Sequence, residues 1–166
     1  MPRLHALELV PDDAGLEVVL GDWRALRDAG LPSQLDHNGG TNTPHVTVVA
    51  ASSLSAQALE LAGELLAGLL PIRARASGLL LLGGQRVTVA RALDVGDEVV
   101  RAVLQLRQLV DGPQHDSWMP HVSLARRVPR ADVGRAVDVL GHVDVELVLT
   151  GLRRWDPDLG TVTPFG

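Results

Sequence analysis

The sequence predicts an α+β fold of two pseudo-symmetric lobes, each a largely antiparallel sheet with helices on its outer face and a groove between the lobes. Three observations predict this fold. The motif Pro-His-Val-(Ser/Thr) occurs twice, at 44–47 and at 120–123, and it opens an apolar run each time. Strand-like and helical segments follow in the same order in both halves. Two copies of so long a unit favour a pseudo-two-fold α+β protein over a solenoid.

In the first half, periodicity predicts strands at 3–10, 45–50 and 71–82, and helices at 14–29 and from Ser53 or Ser55 to about residue 70. Asp12 and Asp13 after Pro11 suit a helix N-terminus, and Gly30 suits its end. A polar loop at 32–43 precedes the first motif. Gly83-Gly84 predicts a hairpin turn that leads into the next strand.

In the second half, the same reasoning predicts strands at 85–92, 119–125, 143–153 and 161–165, and helices from Asp94 to about residue 110 and at 130–140. A chain of 166 residues suits one domain. We therefore expect residues 1–166 to form a single bilobal domain. It would be an internal duplication whose lobes intertwine around 85–92, where the first hairpin closes and the second unit begins.

Composition excludes several classes of function. The chain has no cysteine, which excludes disulfides, thiolate nucleophiles and cysteine-based metal sites. A net charge of −5 disfavours duplex DNA as a partner. No signal peptide is recognisable at the N-terminus, and the longest apolar runs are too short to span a membrane. We expect a cytoplasmic protein without a membrane partner, and the oligomeric state stays open.

The repeated motif places histidines and hydroxyls on common strand faces. Residues i and i+2 of a strand share a face, so His45 points with Thr47 and His121 points with Ser123. Two imidazoles that titrate near neutral pH can act as a general acid and a general base at one site. The two hydroxyls can donate hydrogen bonds to a polar ligand. The alternative is that the motif is a strand sequence kept only through duplication.

The segment His121–Arg126, HVSLAR, is similar to the second motif of the bacterial 2′-5′ RNA ligase and RNA cyclic phosphodiesterase group, within the two-histidine (2H) phosphoesterase superfamily. The resemblance implies a metal-independent enzyme without a cofactor, acting on 2′,3′-cyclic phosphates or 2′-5′ linkages. It implies that His45 and His121 are catalytic and that Thr47, Ser123 and Arg126 bind phosphate. On an ideal strand Arg126 falls opposite Ser123, so its role requires a twist or an end of the strand there.

The partner implied is a small nucleotide or an RNA end that carries a cyclic phosphate or a 2′-5′ linkage. Candidates for substrate recognition are His37 and Asn42, in the loop before the first motif, and Trp118 beside the second. The strand at 86–92 offers no aromatic side chain on which a base could stack. Burial habits favour Trp23 as a core residue.

Two other functions fit the same residues. One is a non-catalytic module of the same fold that binds nucleotides or RNA ends. The other is a metal hydrolase that uses histidines and an aspartate, although no familiar ligand spacing supports it. Its candidate ligands are His37, His45, His115, Asp116 and His121.

Overall fold

The computed structural model describes residues 3–165. In that range the strands are β1 (His5–Pro11), β2 (Val46–Ala51), β3 (Ile72–Gly83), β4 (Arg86–Val95), β5 (His121–Pro129), β6 (Val145–Asp156) and β7 (Thr161–Pro164). The α-helices are α1 (Asp13–Asp28), α2 (Ala56–Leu66), α3 (Asp97–Arg107) and α4 (Val133–Leu140). Short 3-10 turns lie at Gln34–Asp36, Ala67–Leu69 and Arg130–Asp132. The predicted α+β class and its antiparallel pairing are confirmed.

All described strands join one antiparallel sheet in the order β2-β1-β6-β3-β4-β5, with β7 paired to β6. We expected a separate sheet for each lobe. Instead β3 and β6 pair with each other, from Ile72 with Leu149 to Ala76 with Val145, and so link the two lobes.

The strand order has an internal symmetry. The chain runs β-α-β-α-β twice, as β1-α1-β2-α2-β3 and then β4-α3-β5-α4-β6. The third strand of each unit pairs with the first strand of the other unit, β6 with β1 and β3 with β4. Reading the order from either end therefore gives the same arrangement, with the two motif-bearing strands, β2 and β5, at opposite ends.

Local signals explain where the elements begin. Asp12 caps α1 by accepting a hydrogen bond from the N–H of Gly15, and Ser55 caps α2 by accepting from Ala58. The helix expected from Asp94 begins later, at Asp97, because Asp94 and Val95 extend β4 by pairing with β3. A tertiary ladder thus overrides the local helix signal.

The β3–β4 hairpin depends on one glycine. Gly83 has a φ of +123°, and a Cβ there would lie 2.5 Å from the carbonyl oxygen of Arg86. Only glycine fits this conformation without strain. The turn pairs β3 with β4 from Ala74 to Gly83.

One apolar core fills the space between the helices and the sheet. Both helices and strands contribute to it: Trp23 and Leu26 of α1, Leu106 of α3, Val48 of β2 and Leu124 of β5. The prediction that Trp23 is a core residue is confirmed, since its exposed fraction is 2%. No helix within residues 3–165 is long and apolar enough to cross a membrane.

Candidate active site

The two motifs meet at one cavity. Residues of β2 and β5 approach within 8 Å between Cα atoms, although these strands lie at opposite ends of the sheet order. A cavity of about 540 Å³ opens there, and the predicted site residues that line it are His45, Thr47, His121, Ser123 and Arg126. The structure therefore brings together the two histidines, the two hydroxyls and the arginine that the sequence analysis selected.

Both motif histidines are oriented in the same way. The Nδ1 atom of His45 lies 2.8 Å from the carbonyl oxygen of Thr43, and Nδ1 of His121 lies 2.6 Å from that of Met119. A carbonyl only accepts hydrogen bonds, so Nδ1 carries the hydrogen in each ring. Nε2 is then the ring nitrogen without a hydrogen in each neutral imidazole.

A bulge moves Arg126 onto the face that carries His121 and Ser123. Leu124 and Ala125 are both buried, which breaks the alternation of β5. The pairing of β5 with β4 shifts at the same place, and Arg127 has a φ of +60°. We expected Arg126 to reach the site only if the strand twisted or ended there, and this irregularity has that effect. The exposed side chain of Arg126 lines the cavity.

A buried ion pair lies beside His45 and was missed by sequence reasoning. The Glu8 carboxylate is 3.4 Å from Nε2 of His45 and 2.8 Å from Nε of Arg153. Arg153 also donates to the hydroxyl of Thr43 at 2.7 Å. The sequence did contain a signal for this pair, the single glutamate in the apolar run HALELV. A carboxylate on a buried strand needs a partner, so Glu8 predicts an ion pair or a hydrogen bond there.

This ion pair breaks the symmetry between the motifs. Glu8 pairs with Thr47 in the β1–β2 ladder, whereas Ser123 pairs with Ala90 in the corresponding β4–β5 ladder. Ala90 has no polar group in its side chain. His45 therefore has a carboxylate near Nε2 that the matching ladder position does not supply to His121.

Two tryptophans tie each motif to the other half of the chain. Trp118 donates its indole N–H to the carbonyl of Thr47 at 3.0 Å, and Trp23 donates to the carbonyl of Ser123 at 3.1 Å. Each bond crosses from one repeat unit to the hydroxyl-bearing residue of the other. Trp118 also lines the cavity, where the sequence analysis placed it as a candidate for substrate recognition. Its hydrogen bond to Thr47 is a structural contact in addition to that predicted role.

Arg107 ties the loop after α3 to β2. Its guanidinium donates to the carbonyl of Val48 at 3.0 Å and to those of His115 and Ser117. Burial lowers the pKa of Arg107, with the nearby Asp116 opposing that effect. The loop that carries His115 is thereby held along the edge of the cavity.

The loop before the first motif borders a second cavity of about 490 Å³, lined by His37, Asn42 and Gln34 among others. Both cavities share His45, Thr47 and Arg126. The Asn42 side-chain N–H group donates to the carbonyls of Gln34 and His37 at 2.7 and 2.9 Å. Asn42 therefore ties the two ends of this loop together, while His37 is exposed at the rim of the cavity.

The candidate ligands of the metal alternative do not cluster. Across residues 3–165, the His/Asp/Glu group with at least three ligand atoms within 4.8 Å of one another is His5, Asp156 and Asp158. It contains neither motif histidine and none of the five ligands considered for a metal hydrolase. The geometry thus lends that alternative no support.

An antiparallel α+β fold with two His-x-(Ser/Thr) strands around one cavity is the architecture of the two-histidine phosphoesterases, the class that HVSLAR resembles. Residues 11–161 match the family described as the 2′-5′ RNA ligase superfamily, and the chain belongs to that family. Its members are enzymes of the phosphoesterase type. No curated protein sequence matches the chain.

Solved structures share this fold over nearly their whole length. The protein TT0787 of Thermus thermophilus is 16% identical with a TM-score of 0.58, over 99% of this chain and 96% of that one. LigT of E. coli, complexed with NADP+, is 16% identical with a TM-score of 0.57, over 99% and 95%. Usb1 of Kluyveromyces marxianus is 11% identical with a TM-score of 0.53, over 99% and 98%.

Proposed function

We propose that this protein is a metal-independent phosphodiesterase that opens 2′,3′-cyclic phosphates of RNA ends or nucleotides. One observation carries the proposal: both His-x-(Ser/Thr) pairs and Arg126 line a single cavity. Membership of the 2′-5′ RNA ligase superfamily supports it. We place the reaction in the cytoplasm, without a cofactor.

The reaction needs one base and one acid. The base takes a proton from water, and the water oxygen attacks phosphorus in line with one ribose oxygen. The bond from phosphorus to that ribose oxygen breaks, and the acid protonates the oxygen as it leaves. Thr47, Ser123 and Arg126 donate to the non-bridging oxygens, where the negative charge is held. The product is a phosphomonoester.

We assign the acid to His45 and the base to His121. The Nδ1 hydrogen of His45 is committed to the Thr43 carbonyl, and Nε2 faces the Glu8 carboxylate at 3.4 Å. The acid must carry a hydrogen on Nε2, and the Glu8 carboxylate is a hydrogen-bond acceptor beside that atom. The matching ladder position beside His121 is Ala90, which offers no acceptor to Nε2 and leaves that atom free to take a proton from water.

The same chemistry joins RNA ends through a 2′-5′ linkage when a 5′-hydroxyl takes the place of water. The base takes the proton of that hydroxyl, its oxygen bonds to phosphorus, the bond from phosphorus to the 3′ oxygen breaks, and the acid protonates the 3′ oxygen. The family description favours this second activity. Structures of similar fold were solved with nucleotides, LigT of E. coli with 3′-AMP and Usb1 of Kluyveromyces marxianus with uridine monophosphate. A nucleotide or an RNA end is the ligand class that we infer here.

The direct test is a panel of the four 2′,3′-cyclic nucleotides and of 2′-5′ dinucleotides, with each product identified by the position of its phosphate. We expect wild-type protein to yield one phosphomonoester isomer from the cyclic substrates. Binding of these ligands without any turnover would instead identify the alternative, a non-catalytic module that binds nucleotides or RNA ends. Absence of both binding and turnover would overturn both functions.

A further inference from the structure

The second cavity contains a buried polar group that has no partner. Gln34 lines the cavity of about 490 Å³ on the side of the first motif. Its exposed fraction is 4%, and its side-chain oxygen has no hydrogen-bond partner in the structure. Buried side-chain amides are nearly always hydrogen-bonded, and an unpaired one lowers stability. A ligand that donates to Gln34 would remove this cost.

The position of Gln34 is tightly held. Ser33 caps the 3-10 turn, accepting from Leu35 and donating to the carbonyl of Trp23 at 2.7 Å. Asp36 accepts from the backbone N–H of Ser33 and from the guanidinium of Arg27. The unpaired amide oxygen therefore belongs to a residue of a rigid turn, as a recognition group must.

An aromatic side chain lines the same cavity. Trp155 of β6 is half-buried there, in the cavity that also contains His45 and Thr47. Protein sites that bind unpaired nucleotides stack the base on an aromatic ring and read its edge by hydrogen bonds. The cavity thus has a phosphate end at His45, a stacking surface at Trp155 and an edge-reading group at Gln34. Its volume lies within the usual range for small-ligand sites.

We propose that this cavity binds the nucleobase of the substrate, with Trp155 as the stacking residue and Gln34 as the specificity residue. The base that suits Gln34 is adenine. A carboxamide presents one acceptor and one donor side by side, which match the amino group of adenine and its neighbouring ring nitrogen. This inference rests on the proposed function and names the substrate that the site prefers.

The test measures two substrates on two proteins, wild type and Gln34→Met. Adenosine 2′,3′-cyclic phosphate is compared with purine riboside 2′,3′-cyclic phosphate, which lacks only the amino group. Wild-type protein should lose about 10-fold in kcat/KM on the purine substrate, the effect of one hydrogen bond to a buried polar group. Gln34→Met should lose about 10-fold on the adenine substrate and treat both substrates alike.

Three further measurements complete the test. Gln57→Met, at an exposed position of α2, controls for the substitution itself and should behave as wild type. Gln34→Met should keep or raise the Tm, because it removes a buried unpaired oxygen. Trp155→Leu should weaken binding of 3′-AMP by about 5–100-fold, the usual range for loss of a base stack, while Trp155→Phe should retain most of it.

The outcomes separate this inference from the proposed function. If wild-type protein opens both cyclic phosphates equally well and Gln34→Met does the same, the base site is overturned while the phosphodiesterase stands. An equal loss on both substrates, accompanied by a lower Tm, would assign Gln34 a structural role only and would also overturn it. If wild-type protein opens neither substrate, the proposed function itself fails.

Discussion

His45 and His121 have the same local geometry, with Nδ1 directed at the carbonyl of the residue two positions earlier. The prolines at 44 and 120 are part of this arrangement, because the residue before a proline is biased towards extended backbone. Thr43 and Met119 are the residues before these prolines, and their carbonyl oxygens are the ones that Nδ1 of each histidine faces. Each motif therefore carries its own means of fixing the tautomer of its imidazole.

If both histidines transfer protons, His45→Ala and His121→Ala should each reduce kcat by roughly 10²–10⁴-fold, the usual contribution of general acid–base catalysis. The double variant should lose less than the product of the two single effects, because acid and base act in one step. Steady-state kinetics on a cyclic nucleotide measures this, with circular dichroism as the folding control. Near-normal turnover in either single variant would mean that the repeated motif is only an inherited strand sequence.

The different surroundings of the two histidines give a sharper prediction. In a cyclic substrate whose leaving ribose oxygen is replaced by sulfur, the departing thiolate needs no proton. His45→Ala should then recover most of the activity that it loses on the normal substrate, whereas His121→Ala should not. Glu8→Gln should lower kcat on the oxygen substrate and leave the sulfur substrate nearly unaffected. Rescue of His121→Ala in place of His45→Ala would reverse the assignment of acid and base.

Two elements, β2 and β5, carry the motifs although neither pairs with the other. The indoles of Trp118 and Trp23 supply cross-connections, each to the carbonyl of a motif hydroxyl residue. A carbonyl on an edge strand has no ladder partner on its outer side, so an indole N–H can occupy it. These contacts set the spacing between the two halves of the cavity.

Trp118→Phe should separate this positioning from packing, since it keeps an aromatic ring and removes the N–H donor. We expect a loss of about 0.5–1.5 kcal/mol in the free energy of unfolding, the net value of one hydrogen bond. We expect kcat to fall by up to about 100-fold, because small displacements of catalytic groups are costly. Urea unfolding and steady-state kinetics measure the two effects. A wild-type kcat in this variant would show that the hydrogen bond from Trp118 to Thr47 does not position the catalytic groups.

The turn between β6 and β7 should make stability depend on pH. Burial acts to raise the pKa of Asp156, but the N–H groups of Leu159 and Asp158, helped by His5 and Arg154, outweigh burial and hold that pKa below its usual range. A carboxylate with a lowered pKa stabilises the fold at neutral pH, and this stabilisation is lost as the pH falls through the folded-state pKa.

Asp156→Asn should therefore lower the free energy of unfolding at neutral pH and lower it less in acid, where wild-type Asp156 is itself protonated. Urea unfolding at a series of pH values measures the difference between the two proteins. Asp111→Asn, at an exposed loop position, is the matched control and should show no such trend. A difference that stays constant with pH would contradict the role assigned to the Asp156 charge.

At the scale of the whole molecule, the exchange of third strands between the two units makes the lobes interdependent. β6 of the second unit pairs with both β1 and β3 of the first unit, and β3 pairs in turn with β4 of the second unit. Neither unit can complete its sheet alone. This arrangement supports the proposal that residues 1–166 form one bilobal domain.

The whole site also predicts independence from metal ions. In the proposed mechanism, proton transfer by two imidazoles and charge stabilisation by hydroxyls and Arg126 need no cation, so an excess of EDTA should leave kcat/KM unchanged. The His5, Asp156 and Asp158 group offers an internal comparison. Replacing Asp158 by asparagine should not alter turnover in either condition. Loss of activity in EDTA, restored by zinc or manganese, would support a metal hydrolase instead.

The secondary-structure elements and the chemical groups of the site could be predicted from local patterns in the sequence. Period-2 and period-3.6 patterns predicted every described strand and α-helix, and the repeated Pro-His-Val-(Ser/Thr) selected the two histidines and two hydroxyls that line the cavity. These features are local, because a few neighbouring residues decide strand, helix and face. The family resemblance rested on equally local letters, HVSLAR.

The contacts between groups of the two repeats could be seen only in the folded protein. It joined two expected sheets into one through β3 and β6, moved Arg126 onto the site face through a bulge, and placed Glu8 beside His45. It also left the amide oxygen of Gln34 without a partner in a cavity beside the motif. Such features depend on register and on contacts between residues distant in the chain, which local periodicity does not encode. The difference between the two histidines is one of these, because their motifs are nearly identical and their neighbours are not.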